Sequence, residues 1–207
     1  GGYHAEKFLK GFSGYLTCDG FGGYNKLKDV IRCGCLAHMR RYWYDALPGK
    51  SKKTKEKTPA EIGFDYCNQL FELEKEYADL DAETRKVKRL ETEPAIWKAY
   101  WSWLETLYPT GGSRLDKAVT YAKNQKPYME NYLLDGRCSI SNNIAENIAR
   151  PYAIGRKNFL FHDTVKGARA SSIIYSLVET AKLNNLNIYA YLETVLLYMP
   201  DYKNEPE

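Results

Sequence analysis

The chain has 207 residues, 44% hydrophobic and 14% aromatic, enough to bury a sizeable core and to argue against wholesale disorder. Its net charge of +4 is uneven: residues 59–109 hold eleven Asp/Glu against six Lys/Arg, a net of −5, which leaves +9 elsewhere. No apolar run approaches the roughly 20 residues of a membrane helix, no secretory signal opens the chain, and five cysteines without framework spacing point to reduced thiols in a cytoplasmic protein.

In chain order, "GYLTCDG" (Gly14–Gly20) reads as a short buried strand ending at Asp19. A short helix with Tyr24 and Leu27 inward should follow, then a second strand, "VIRCGCL" (Val30–Leu36), and a helix over Ala37–Leu47. This β-α-β-α order predicts an α/β layer with a parallel pair. The lysine-rich "PGKSKKTKEKTP" (Pro48–Pro59) reads as a flexible linker whose 50–57 stretch should be among the least ordered.

Beyond it, Ile62, Tyr66, Leu70, Leu73, Tyr77 and Leu80 step by three and four, a helical stripe that should be mostly buried. Trp97, Trp101, Leu104 and Tyr108 repeat the pattern, and a third helical stretch covers about 114–134. No strand pattern interrupts residues 60–134, so this is expected to be an all-helical insertion. Asn142 and Asn143 are suited to cap a short helix carrying Glu146, which Pro151 should end or kink. A strong helix with Ile173, Ile174, Leu177, Val178 and Ala181 inward comes next. "NNLN" breaks it, and Ile188, Tyr191, Leu192, Val195, Leu196 and Met199 mark a last helix.

Several residue groups carry candidate chemistry. Asp19 sits at the expected carboxyl end of a strand, where open α/β sheets place ligands, but Asp-Gly is equally a favoured turn pair. Glu146 follows Asn143 by three, the spacing of a capping box, and lies four before Arg150, the spacing of a surface pair. Cys35 and His38 are two of the four ligands a structural zinc needs, so no zinc is expected. Arg40, Arg41, Arg150, Arg156 and Lys157 are either solvated charge or contacts to a phosphate backbone.

Together, "GYLTCDGFGGYNKL", "CLAHMRRYW", "YLLDGRCSISNNIAENIARPYAIGRKNFLF", "GARASSIIYSLVETAKLNNLNIYAYLETVL" and a terminal "MP" resemble the DDE-type transposases of the insertion sequence 66 family. The resemblance implies an α/β chain, mostly helical by content: part of a ribonuclease H-like core over 1–49 and 135–207, with a linker and helical insertion over 50–134. It implies that two aspartates and a glutamate bind Mg²⁺ or Mn²⁺, with Asp19 matching the second aspartate and Glu146 the glutamate. The two should converge although 127 positions apart (146 − 19).

The first aspartate belongs on an upstream strand, so the chain is expected to be the C-terminal part of a catalytic region, inactive alone. Implied partners are terminal-repeat and target DNA, held by Arg40, Arg41, Arg150, Arg156 and Lys157. A homo-oligomer on that DNA, at a bacterial nucleoid and away from membranes, completes the expectation. Leu36 stands where an aromatic is usual, and Asn147 where a basic residue is common. Two alternatives stay open: a nonenzymatic DNA-binding or oligomerising remnant, and a metal-dependent nuclease on the same core.

Overall fold

The computed structural model describes residues 2–49 and 56–201, so most of the lysine-rich stretch, 50–55, lies outside the described residues. The chain divides into two compact units, Gly1–Asn143 and Ile144–Glu207.

The first unit opens with α1 (Gly2–Phe8), a helix that the sequence pattern did not announce. Strands β1 (Gly14–Cys18) and β2 (Val30–Gly34) then pair in parallel, with Gly14 opposite Val30 and Cys18 opposite Gly34. The expected short helix between them is a 3-10 turn over Gly22–Lys26, on which Tyr24 is half-buried, as is Leu27 just after it. Helix α2 (Leu36–Asp45) leaves the carboxyl end of β2.

Three further helices follow, each started by a side chain that satisfies a free N–H of its first turn. Thr58 and Glu61 form a reciprocal capping box at α3 (Pro59–Glu76). Asp81 accepts from Thr84 at α4 (Ala82–Glu105), and Ser113 from Asp116 at α5 (Arg114–Met129). A 3-10 turn over Asn131–Leu134 ends the run. Helices α3 and α5 pack on α2, and α5 also on β2, so helices and strands share one core.

That core is aromatic, and its two most buried indoles are hydrogen-bonded. Trp43 Nε1 donates to the Tyr100 hydroxyl at 3.1 Å, which donates to Met39 Sδ at 3.3 Å. Trp97 Nε1 donates to the Tyr132 hydroxyl at 3.1 Å. The deepest stripe of α3 is Ala60, Gly63, Cys67 and Leu70, while the expected Ile62, Tyr66 and Leu73 are only half-buried. The reason is Trp43: a Cβ on Gly63 would lie 2.4 Å from its ring, so glycine sets the closest approach of α3 to α2. Tyr108 is 91% exposed because α4 ends at Glu105; Tyr100, absent from the expected stripe, is the buried residue.

The second unit contains α6 (beginning at Asn143 and running to Phe159), α7 (Val165–Leu183) and α8 (Ile188–Tyr198). Pro151 lies inside α6 and does not end it. Asn185, at φ 53°, closes α7 in a left-handed turn in which the Leu186 N–H reaches the Ala181 carbonyl at 2.9 Å. Tyr152 of α6 meets Tyr175 of α7 edge-on at 5.2 Å.

Among the described residues of this unit only Ala181 is buried. Ile173, Ile174, Leu196 and Met199, expected to face inward, are more than half exposed. Their stripes are wider than the contact α7 and α8 make with one another. No described helix is long and apolar enough to cross a membrane.

Candidate functional site

Asp19 is the residue after β1, half-buried at the carboxyl end of the parallel pair. Its Oδ1 accepts from the Phe21 N–H at 3.0 Å, so the turn role is real. That bond fixes the carboxylate while engaging one of its two oxygens.

Side chains that sequence reasoning did not link to Asp19 surround this turn. Arg32, 8% exposed, donates from Nη1 to Asn25 Oδ1 and from Nη2 to the Asp19 carbonyl at 3.4 Å. Its guanidinium lies 4.1 Å from the centre of the Tyr128 ring. Burial, and then the Asp19 charge, pushes the Tyr24 phenol above its ordinary value. Burial likewise raises the Tyr121 phenol, with Cys35, Tyr42 and Asp19 adding to it. From α5, Gln125 Nε2 and the Tyr121 ring come so close that a Cβ on Gly20 would lie 3.0 Å from each. Arg32 Nε, Tyr121 Oη and Gln125 Oε1 are buried without a hydrogen-bond partner among the described residues. Helix α5 is about a hundred positions from Asp19, and no local pattern links them.

The segment leading to Glu146 is anchored beside the same strand. Thr17 Oγ1 donates to the Ser139 carbonyl at 3.1 Å across 122 positions, and the Leu36 N–H donates to the Ile140 carbonyl at 3.0 Å. Arg89, 1% exposed, holds the preceding stretch. Its Nη1 donates to the Tyr132 and Asp135 carbonyls at 3.2 Å each, and its Nη2 to the Cys138 carbonyl at 2.9 Å. Glu74 pairs with the guanidinium through two bonds of 2.6 Å. Arg85 adds a bond to the Gly136 carbonyl at 3.0 Å. Beneath this clamp Glu93, fully buried, accepts from the Tyr132 hydroxyl, and burial pushes its carboxyl up to about 7.

Helix α6 starts at Asn143, so Asn142 stands at the capping position and Glu146 is the fourth helical residue, one past the capping-box position. Asn142 Oδ1 is buried with no hydrogen-bond partner among the described residues. Glu146 is half-buried in the first turn of α6, three residues into the second unit, whereas Asp19 belongs to the first.

The cations divide by use. Arg40 donates to Asn68 Oδ1 at 2.6 Å and lies over Phe64 at 4.4 Å, tying α2 to α3. Arg41, Arg150 and Lys157 are exposed. Arg156 falls within α6, its side chain outside the described residues. Cys35 caps the start of α2, donating its N–H to the Cys18 carbonyl at 3.1 Å, and His38 is half-buried in the first turn. Among the described residues no group of three or more His, Cys, Asp or Glu is gathered to hold a metal ion.

The family model described as Transposase IS66 family matches residues 1–170, and the one described as IS66 C-terminal element matches 176–206. Three similar proteins come from Sinorhizobium fredii (strain NBRC 101917 / NGR234). The uncharacterized protein y4qI is 32% identical over 92% of this chain and 36% of its own length. The uncharacterized protein y4jD is 30% identical over 93% and 39%, and the uncharacterized protein y4hP 26% identical over 97% and 39%. The chain thus spans well under half the length of these relatives. No solved structure matches it.

Proposed function

The chain belongs to the IS66 transposase family, and we propose that it supplies the C-terminal part of a ribonuclease H-like catalytic region that cuts and joins the DNA of an insertion element. The observation that carries this reading is the pair of bonds from Thr17 to Ser139 and from Leu36 to Ile140. They bring the stem of the Glu146 helix alongside the strand that ends at Asp19, across the whole helical insertion.

Asp19 and Glu146 fit divalent metal in kind, because Mg²⁺ and Mn²⁺ take hard oxygen ligands. They do not fit in number, and in this reading a third carboxylate comes from an upstream segment. Asp19 and Glu146 would help to hold such ions, which when bound would supply activation of an attacking hydroxyl and stabilisation of the leaving oxygen. The bond from Phe21 keeps the Asp19 carboxylate in one orientation as charge gathers beside it. Arg41, Arg150, Arg156 and Lys157 hold the phosphate backbone. Arg40 sets the position of α2 and through it that of Arg41. Assembly as a homo-oligomer on the element ends belongs to the same proposal.

The test compares three proteins on labelled terminal-repeat DNA: the 207-residue chain, the chain joined to its upstream segment, and that longer protein carrying Glu146→Gln. The chain alone should bind DNA, more weakly as salt rises, and leave it intact. The longer protein should cleave and join it with Mg²⁺ or Mn²⁺. Glu146→Gln should abolish cleavage and keep binding. Metal-dependent cleavage by the 207-residue chain itself would place the third ligand within it and overturn the assignment; cleavage without joining would favour a nuclease.

A further inference from the structure

We propose that Cys33 and Cys138 are a redox pair, which a hydroperoxide converts to a disulfide that ties the stem of the Glu146 helix to β2. The proposal goes beyond the transposase reading and does not depend on it.

The geometry comes from the strand register. Cys33 lies opposite Thr17 in the parallel pair, so the two side chains share a face of the sheet. On that face the Thr17 hydroxyl donates to the Ser139 carbonyl at 3.1 Å, which brings the residue after Cys138 to the face that Cys33 shares. Cys138 is pinned on both sides: its N–H donates to the Asp135 carbonyl at 3.0 Å, and its carbonyl accepts from Arg89 at 2.9 Å. Cys33 is fully buried, and Cys138, half-buried, packs against the same core.

Cys33 and Cys138 perturb one another in opposite directions. The Cys33 thiol beside it, then Arg89 and Arg137, hold the Cys138 thiol below its ordinary value against burial and the Asp135 charge. Cys138, burial and the neighbouring Cys18 push the Cys33 thiol up. Cys138, half-buried, thereby has the more readily ionised sulfur of the two, and Cys33, fully buried, the one that keeps its proton.

The chemistry balances with a hydroperoxide as oxidant. The Cys138 thiolate attacks the distal peroxide oxygen; an S–O bond forms, the O–O bond breaks, and the alkoxide leaves as the alcohol with one proton. Cys33 Sγ then attacks the sulfenic sulfur; the S–S bond forms, the S–O bond breaks, and hydroxide leaves as water with the Cys33 proton. The two sulfurs lose two electrons and the peroxide gains them. The cross-link closes a loop that contains α3, α4 and α5, fastening both ends of the helical insertion.

The test treats the folded 207-residue chain with hydrogen peroxide and maps the products by mass spectrometry, with Cys67, fully buried in α3, as internal reference. The expected result is loss of two hydrogens and a cross-linked peptide joining Cys33 to Cys138. Before oxidation, Cys138 should alkylate at least about tenfold faster than Cys67. Cys33→Ser should leave Cys138 as a sulfenic acid trapped by dimedone, and Cys138→Ser should leave Cys33 unoxidised. A disulfide between other cysteines, no disulfide, or Cys138 no faster than Cys67 overturns the proposal. The wild-type map decides alone should either variant fail to fold.

Discussion

In the first unit Trp43, Trp97, Tyr100 and Tyr132 are each at most 1% exposed, and each has its polar atom in a hydrogen bond. In the second, Ile173, Ile174, Leu196 and Leu197 are more than half exposed, and Ala181 alone is buried among the described residues. Both regions carry apolar residues at helical spacing. The first has partners for its stripes: α3 and α5 close on α2, and the 3-10 turn after α5 closes on α4. Periodicity reports that a helix has an apolar face; it does not report how much of that face a neighbour covers.

The largest effect expected from this contrast is at Trp97. Trp97→Ala removes a fully buried indole and its bond to Tyr132, and should cost about 3–5 kcal/mol in denaturant unfolding of the first unit. A loss below about 1 kcal/mol would mean that this core is loosely packed.

A pH effect should come next, from Glu93. Its carboxyl is raised from 4.5 to about 7 in the fold, so the native state holds a proton that the unfolded chain releases. The contribution is fully present below pH 4.5 and is lost as pH rises through about 7. First-unit stability should therefore fall between about pH 4 and about pH 8 by roughly 3 kcal/mol, and Glu93→Gln should flatten the profile. Stability that rises over this interval, or an unchanged slope in the variant, would remove Glu93 as the cause.

Much of the first unit was legible. Alternating and continuous apolar runs marked β1 and β2, and steps of three and four marked α3 and α4. The contacts that fix the site were not. The Arg89–Glu74 pair drew no notice in the sequence, and only the fold turns Arg89 inward onto the Tyr132, Asp135 and Cys138 carbonyls. Gly63 carried no signal in the sequence, and its role is to admit Trp43. Asp19 and Glu146 are singled out by family resemblance alone; their spacing fitted a turn and a cap. Gln125, Tyr121 and Arg32 reach Asp19 from other elements, and no local pattern signals that.

A smaller effect should separate the stem from the helices beyond it. Thr17→Val keeps the shape of the side chain and leaves the Ser139 carbonyl without its donor, at about 1 kcal/mol. Hydrogen exchange should quicken at the Leu36 and Cys138 amides, which lie on either side of that bond, and stay unchanged in α8. Equal quickening in α8 would show that the two units unfold together, and the contrast between them would lose its energetic meaning.

The smallest effect should be at Leu197, and it is the sharpest check on the second unit. Leu197 is 67% exposed on α8, beside Leu196 at 66% and Tyr198 at 58%. Leu197→Ser therefore removes little buried surface, and the thermal midpoint should correspond to a change within about 0.5 kcal/mol. In a packed helix the same substitution would cost several times more, because it would empty a filled site and bury a hydroxyl. A loss of about 2 kcal/mol or more at Leu197 would mean that the α8 face is covered in solution. Dilution then separates the two ways of covering it: a loss that grows as the chain is diluted points to another molecule, and one independent of concentration to the chain itself.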